Sequence, residues 1–236
     1  MGFTFGRSFF ALFLFLPRCG IINNRGDFLK DFYYSPKASA LFEITEKRSK
    51  FIAEIHPAAN REQAEEFIGR VRARHRDARH TVFAYIFDDG DKRYSDDGEP
   101  SGTAGAPIMD ILEKNGICNC ALTVTRYFGG ILLGTGGLVR AYSAAASGAV
   151  ENCSLEKSVL RVKAEICCGY NLYNRIPSIL SKCGGRILTS DFSEDVRLSL
   201  SLDPSSADGF SDQITEISAG ETTVKQIGIF YEKSRY

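Results

Sequence analysis

The sequence predicts an α+β protein of two domains, and three observations lead to this fold class. The chain has 236 residues, which is enough for two domains of about 100 residues that each bury a core. A polar stretch, Glu151–Lys157, interrupts the hydrophobic pattern. On each side of it, strand-like and helix-like segments follow one another in a complete order of their own. We therefore expect an N-terminal domain over residues 33–152 and a C-terminal domain over residues 157–236.

The N-terminal half predicts a β-sheet covered by helices. Runs of β-branched and apolar residues predict strands, and apolar residues at helical spacing predict the helices between them. The first helix has an acidic first turn and a basic last turn, which complements the helix dipole. In chain order the predicted elements are strands Leu41–Thr45 and Phe51–His56, helix Arg61–Arg74, strand Thr81–Phe87, helix Ala104–Lys114, strand Ile117–Arg126, apolar enough to be buried on both faces, and the Ala-rich helix Gly136–Val150.

The C-terminal half predicts a ferredoxin-like unit, because its elements follow the order β-α-β-β-α-β. Pro177 lies inside the first helix of this half, so we expect that helix to begin late or to bend there. In chain order the predicted elements are strand Val159–Cys168, helix Leu172–Lys182, strands Arg186–Phe192 and Val196–Leu202, a helix that Asp203 opens and that ends near Ser218, and strand Thr222–Tyr231.

The first residues are unlike the rest. Phe9–Leu16 is a short apolar run preceded by Arg7, which imitates the core of a signal peptide. It is shorter than the roughly 20 apolar residues that span a bilayer, and no small-residue cleavage site follows it. We interpret residues 1–32 as a disordered leader or an over-extended gene start, with a targeting segment as the alternative.

Charge and cysteine content exclude some classes of protein. The formal net charge is zero, which argues against sequence-independent coating of DNA but leaves room for a local basic patch. The seven cysteines form no pair of metal-binding spacings, and most lie in apolar runs. We interpret them as reduced core thiols of a cytoplasmic protein, with no zinc site and no cofactor.

Two glycine-rich stretches carry the most information. The first spans Tyr94–Ile108 and the second Arg126–Tyr142. Each is a turn dense in glycine followed by a predicted helix, a pattern typical of tight turns, close backbone packing or anion binding at a helix N-terminus. The second stretch lacks the lysine of a phosphate-binding P-loop and the acidic residue of a dinucleotide fold.

Both stretches resemble the signature of the YigZ/IMPACT family, as does Glu46–Phe51 together with His80, and the likeness runs from about Phe42 to the C-terminus. The resemblance implies a bacterial-type member. Its N-terminal domain would be a ribosomal-protein-like α/β sandwich, similar to a domain of elongation factor G, and its C-terminal domain would resemble the last domain of that factor. Many members carry a basic residue where this chain has Leu132. The family is associated with translation and has no established chemistry.

The candidate site is a face that binds phosphate, RNA or a partner protein. In the alternative, the second stretch packs backbone against backbone and Arg126 pairs with Asp96 or Asp97. Tyr127, Phe128 and Tyr142 could stack on bases, but they are also typical core residues. The residues that we single out are His80, Asp96, Asp97, Glu99, Arg126, Tyr127, Gly129, Gly130, Gly134, Gly136, Gly137 and Arg140.

Two functions come into question. The resemblance implies a cytoplasmic, translation-associated binding factor, rather than an enzyme, and we expect it to contact RNA, the ribosome or a ribosome-associated protein, without membrane binding or DNA specificity. The alternative is a metal-dependent hydrolase that uses Asp96, Asp97, Glu99 and His80, because clustered carboxylates bind Mg²⁺ or act as general bases. Acidic residues before a helix more often cap its N–H groups, so we assign no catalytic residue and no metal ligand.

Overall fold

The computed structural model describes residues 30–234, in which two five-stranded sheets organise the chain. From Phe32 onward the chain forms one compact unit. The elements are β1 (Phe32–Pro36), β2 (Ala40–Glu46), β3 (Ser49–Pro57), α1 (Arg61–Arg74), β4 (His80–Ile86), β5 (Lys92–Ser95), α2 (Gly105–Lys114), β6 (Cys120–Tyr127), α3 (Thr135–Glu151), β7 (Leu155–Cys168), α4 (Tyr170–Tyr173), α5 (Ile176–Lys182), β8 (Arg186–Phe192), β9 (Val196–Leu202), α6 (Ala207–Ile217) and β10 (Val224–Lys233).

The first sheet is antiparallel, with strand order β2-β3-β6-β4-β5. Helices α2 and α3 cover one face of it and α1 covers the other. The central strand β6 is therefore buried on both sides: Leu122 and Val124 face α2 and α3, and Ala121 faces α1. This confirms the expectation that its apolar sequence marks a strand between two layers.

Helix α1 has the bounds that its sequence predicts, because local signals define both ends. The Asn60 side chain accepts a hydrogen bond from the Gln63 backbone N–H at 3.0 Å, which caps the first turn. Arg72 and Arg74 occupy the last turn, where positive charge favours the helix dipole. The buried side of the helix is formed by Ala64, Phe67, Ile68 and Val71.

The second sheet has the ferredoxin-like strand order β10-β7-β9-β8, with every pair antiparallel. Alternate residues of β7 and β9 point into a core that α5 and α6 close from one side. The two-domain α+β fold, an α/β sandwich followed by a ferredoxin-like unit, is confirmed. Between residues 30 and 234 no helix is long and apolar enough to cross a membrane.

Several details differ from the expectations. Strand β1 was not foreseen, and it pairs with β7 of the second sheet although it precedes the first. Strand β5 was also missed. The predicted helix Leu172–Lys182 is two short helices, α4 and α5, and Pro177 lies in the first turn of the second, where proline is tolerated. Strand β7 begins inside the predicted linker, and β10 reaches Lys233.

The predicted domain boundaries remain predictions. The interpretation of the leader falls almost wholly on residues outside the described range, which begins at residue 30.

Candidate functional site

The candidate residues gather at one end of the first sheet. Strand β6 ends there at Tyr127, and its neighbour β4 begins there at His80. The register places both Phe51 of β3 and His80 opposite Arg126. Both glycine-rich stretches belong to the same end, because one connects β5 to α2 and the other connects β6 to α3.

Asp96 caps helix α2. One carboxylate oxygen accepts the backbone N–H groups of Ala104 and Gly105, at 3.0 and 2.8 Å, and the other accepts that of Gly102 at 2.9 Å. Because these groups at a helix start have no partner within the helix, the carboxylate both satisfies them and favours the dipole. The capping interpretation is confirmed for Asp96, and the anion at this helix end is the protein's own side chain.

Asp97 faces a different direction. Its carboxylate accepts hydrogen bonds from Arg72 of α1 at 2.8 Å and from the backbone N–H of Thr81 at 2.7 Å. Its carbonyl oxygen lies 2.7 Å from Nδ1 of His80. Because a carbonyl only accepts, Nδ1 carries the proton, and this fixes the tautomer of neutral His80. The Nε2 atom of His80 then lies 3.9 Å from Oε1 of Glu99.

Glu99 and Arg126 form a buried ion pair beneath the two loops. The Arg126 guanidinium donates to Oε1 of Glu99 at 2.7 Å, and the Tyr142 hydroxyl donates to the same oxygen at 2.8 Å. The side chains of Arg126 and Glu99 are only 6% and 3% exposed. Burial, followed by the nearby Glu99 carboxylate, raises the pKa of the Tyr142 phenol, so it remains a neutral donor.

This pair corrects the expected pairing of Arg126 with Asp96 or Asp97. It also gives Arg126 a role other than direct contact with phosphate, since the guanidinium is buried and already bound to a carboxylate. Its Nε atom is buried without a hydrogen-bond partner among the described residues. Tyr142 is fully buried, so it belongs to the core and does not stack on a base.

The carboxylates do not converge on one point, which removes the geometric basis of the metal-dependent hydrolase. Asp96 binds the start of α2, Asp97 binds Arg72 and Thr81, and Glu99 binds Arg126 and Tyr142. A metal site would need several of these oxygens free and within a few ångströms of one ion. Within residues 30–234 no group of three acidic, histidine or cysteine side chains has such a geometry.

The second glycine-rich stretch packs against the β2–β3 turn. A Cβ atom on Gly129 would overlap the backbone of Arg48, and the Gly129 N–H donates to the Ser49 hydroxyl at 3.1 Å. The turn itself has Lys47 and Arg48 at φ 44° and 66°, a left-handed conformation that is uncommon outside glycine. The alternative of close backbone packing is thus confirmed at Gly129.

The remaining glycines shape the start of α3. Gly130 and Gly134 have φ of 82° and 70°, where glycine is favoured. Gly137 lies against Leu133, and Gly136 lies beside the Arg140 guanidinium. Helix α3 has no side-chain cap and no acidic residue in its first turn, and Thr135 and Gly136 are exposed. Its first N–H groups therefore face solvent with a partial positive charge.

Three exposed cations that were not among the predicted site residues border this loop. Lys47 and Arg48 form the tip of the β2–β3 turn, and Arg79 lies just before β4. The Arg79 guanidinium is 5.5 Å from the centre of the Phe128 ring, and Arg126 is equally far from it. In the sequence, Lys47 and Arg48 are two adjacent charged residues between two predicted strands. This pattern could have indicated an exposed basic turn.

Two aromatic or apolar side chains complete the surface. The Tyr127 hydroxyl lies 2.8 Å from Nδ1 of His75, so its polar end is occupied within the protein. Leu132, at the tip of the loop, is 82% exposed.

Similarity to known proteins covers both domains. The model of the Impact N-terminal domain matches residues 47–150, and that of a domain of unknown function, DUF1949, matches residues 166–221. IMPACT family member YvyE of Bacillus subtilis is 31% identical over 202 residues, which cover 84% of this chain and 93% of YvyE. The chain belongs to the IMPACT family. The resemblance carried by the glycine-rich stretches is thereby confirmed.

Other relatives of this IMPACT family chain extend the comparison. YigZ of Escherichia coli is 36% identical over 178 residues, which cover 74% of this chain and 87% of YigZ. A crystal structure of a hypothetical protein is 33% identical, with a TM-score of 0.56 over 85% of this chain and 99% of that one. Protein IMPACT of Mus musculus is 31% identical over 96 residues, which cover only 39% of this chain and 30% of that protein.

Proposed function

We propose that this chain is a cytoplasmic, translation-associated factor that binds RNA of the ribosome without catalytic turnover. The contact surface is the glycine-loop face, which comprises Lys47, Arg48, Arg79, the loop and helix start at residues 128–137, and Arg140. The observation that supports it is a set of exposed cations around an uncapped helix N-terminus. Among residues 30–234, none of these four side chains forms an ion pair with a carboxylate.

The chemistry of this face suits phosphate. Arginine and lysine supply charge-assisted donors, and free N–H groups at a helix start add a partial positive charge. Glycine at positions 130, 134 and 136 keeps side chains away from the backbone there, so a phosphate oxygen has room to approach it. Since the chain as a whole is neutral, attraction to a polyanion has to come from a local surface of this kind.

The buried pair explains why the loops hold this arrangement. Arg126 lies near the end of β6, Glu99 belongs to the first glycine-rich stretch, and Tyr142 belongs to α3. One carboxylate oxygen thus ties together three segments that border the face. In this proposal Arg126 is a positioning residue, and Lys47, Arg48, Arg79 and Arg140 touch the RNA.

Co-sedimentation with ribosomes across a salt series tests the proposal. Lys47→Ala, Arg79→Ala and Arg140→Ala should each weaken binding and reduce the slope of log K against log salt by about 0.7 to 0.9. Lys182→Ala is the matched control, because Lys182 is an exposed cation at the end of α5, the helix that packs on the second sheet. Unchanged slopes in all three variants would refute the RNA contact.

A second candidate partner is a ribosome-associated protein, and Leu132 favours it. An apolar side chain that is 82% exposed at the tip of a loop suits an apolar pocket on a protein better than a phosphate backbone. Leu132→Lys separates the two partners. It should strengthen binding to naked ribosomal RNA if the face meets phosphate, and it should abolish recovery on intact ribosomes if a protein receives Leu132.

A further inference from the structure

The second sheet has a polar groove on the face that its helices leave open. Alternate residues of β7 and β9 point toward α5 and α6, so the residues between them point the other way. There the surface forms a depression of about 530 Å³, a volume within the range of small-molecule sites. It is lined by Glu165, Ile166, Cys167, Thr189, Asp191, Arg197, Leu198, Ser199, Thr223 and Lys225.

Opposite charges face one another across the strands of this groove. The register pairs Lys225 of β10 with Glu165 of β7, and Asp191 of β8 with Arg197 of β9. Residues directly opposite on neighbouring antiparallel strands share a face and commonly interact. Nevertheless, none of these four side chains is within ion-pair distance of another charged group in the described part of the chain.

A hydroxyl in the middle of the groove also lacks a partner. Ser199 lies opposite both Glu165 and Thr189, and its Oγ atom is buried with no hydrogen bond to the described residues. A buried hydroxyl without a partner is unfavourable, so a ligand that bonds to it gains that free energy. The groove therefore offers an anion site, a cation site and a hydroxyl side by side.

The distribution of charge narrows the class of ligand. A phosphate chain would be repelled by Glu165 and Asp191, and a polyamine would be repelled by Arg197 and Lys225. An apolar ligand would desolvate all four charges without replacing their interactions with water. A molecule that carries both an ammonium and a carboxylate complements both signs.

We propose that this groove binds a small zwitterion of the α-amino-acid class. The ligand carboxylate lies at Arg197, its ammonium lies at Glu165, and the Ser199 hydroxyl bonds to one of the two. In the register Lys225 lies opposite Glu165 and Asp191 lies opposite Arg197, and the exposed Cys167 thiol borders the ligand side chain.

Amide-resolved NMR on the isotope-labelled full chain tests this site. The probes are the common L-amino acids, each at millimolar concentration, with acetate and methylammonium as the two isolated charged halves. At least one amino acid should shift resonances on both β7 and β9 in a saturable way. Saturation by acetate or methylammonium alone at equal concentration would overturn the proposal, as would an absence of shifts with every amino acid.

Variants then assign the two charges. Glu165→Gln and Arg197→Gln should each lower the affinity for the amino-acid ligand by about tenfold or more, because each removes one charge-assisted contact. Lys163→Gln is the control, since Lys163 is exposed on the same face of β7 but lies outside the groove. Equal weakening by all three variants, or by none of them, would refute the assignment.

Discussion

Removing Glu99 should destabilise the protein far more than removing any carboxylate on its surface. The Glu99→Ala variant leaves the Arg126 guanidinium, whose side chain is 6% exposed, in the interior without its counter-charge. Breaking a buried pair in this way costs about 3–5 kcal/mol. For a chain of this size, about 1 kcal/mol corresponds to roughly 2–4 °C in melting temperature, so we expect a fall of roughly 6–20 °C.

The two halves of the pair should respond differently to pH. In Arg126→Ala the isolated Glu99 carboxylate escapes its penalty by taking up a proton. The folded variant then binds a proton that the unfolded chain releases at the same pH. The free energy of unfolding that the variant has lost relative to the parent therefore shrinks as the pH falls from 8 toward 5. Arginine does not deprotonate in proteins, so the stability lost in Glu99→Ala should show no such decrease as the pH falls.

Urea unfolding at a series of pH values measures both effects. Glu43→Ala is the control, because Glu43 forms an ion pair with Lys50 in which both side chains are more than 40% exposed, and such pairs contribute about 0–1 kcal/mol. A loss below about 1 kcal/mol for Glu99→Ala would refute the reasoning, and so would parallel pH profiles for the two variants of the buried pair.

Other parts of the structure give three further predictions. Gly129→Ala should destabilise by about 1–3 kcal/mol or more because its Cβ overlaps the β2–β3 turn, whereas Gly69→Ala, in open space on α1, should stabilise by about 0.5–1 kcal/mol in urea unfolding. Burial, followed by nearby positive charge, lowers the pKa of His56, so the unfolded chain binds more protons below about pH 6.5 and stability falls with falling pH. His56→Phe should therefore make the free energy of unfolding less dependent on pH in this range. An unchanged slope would contradict the prediction. Maleimide should label the exposed Cys167 at once. It should label the buried Cys120 only on unfolding, because burial raises the pKa of that thiol. Equal labelling rates for the two thiols would refute this difference.

Local signals account for the parts of the fold that sequence could predict. Helix α1 has a cap at Asn60 and charges ordered along its dipole, so each end is encoded within a few residues. The strand that became β6 is apolar throughout, which indicates burial on both faces. Strand β1 has no such signal: its partner in β7 lies more than a hundred residues away, and nothing in its own five residues indicates that pairing.

The partners of the acidic turn could not be predicted for a related reason. Asp96, Asp97 and Glu99 lie within four positions, and spacing alone does not say where each side chain points. The backbone decides it, because Asp97 and Gly98 have φ of 46° and 84°. These two left-handed residues turn the chain sharply, so Asp96 reaches α2, Asp97 reaches α1 and Glu99 enters the core.

The buried pair serves to position the segments around it rather than to add stability. A well-packed apolar set of similar volume is often as stable as a buried ion pair or more so, so Glu99→Leu/Arg126→Met/Tyr142→Phe should regain most of the stability that Glu99→Ala loses. Apolar contacts lack direction, however, whereas the hydrogen bonds to one Glu99 oxygen fix β6, the first glycine-rich stretch and α3 relative to one another. If the glycine-loop face binds ribosomal RNA, this stable triple variant should still bind it more weakly, because the loops lose their mutual register while every exposed cation remains. Affinity equal to that of the parent, measured by the same co-sedimentation at one salt concentration, would show that packing alone positions the loops.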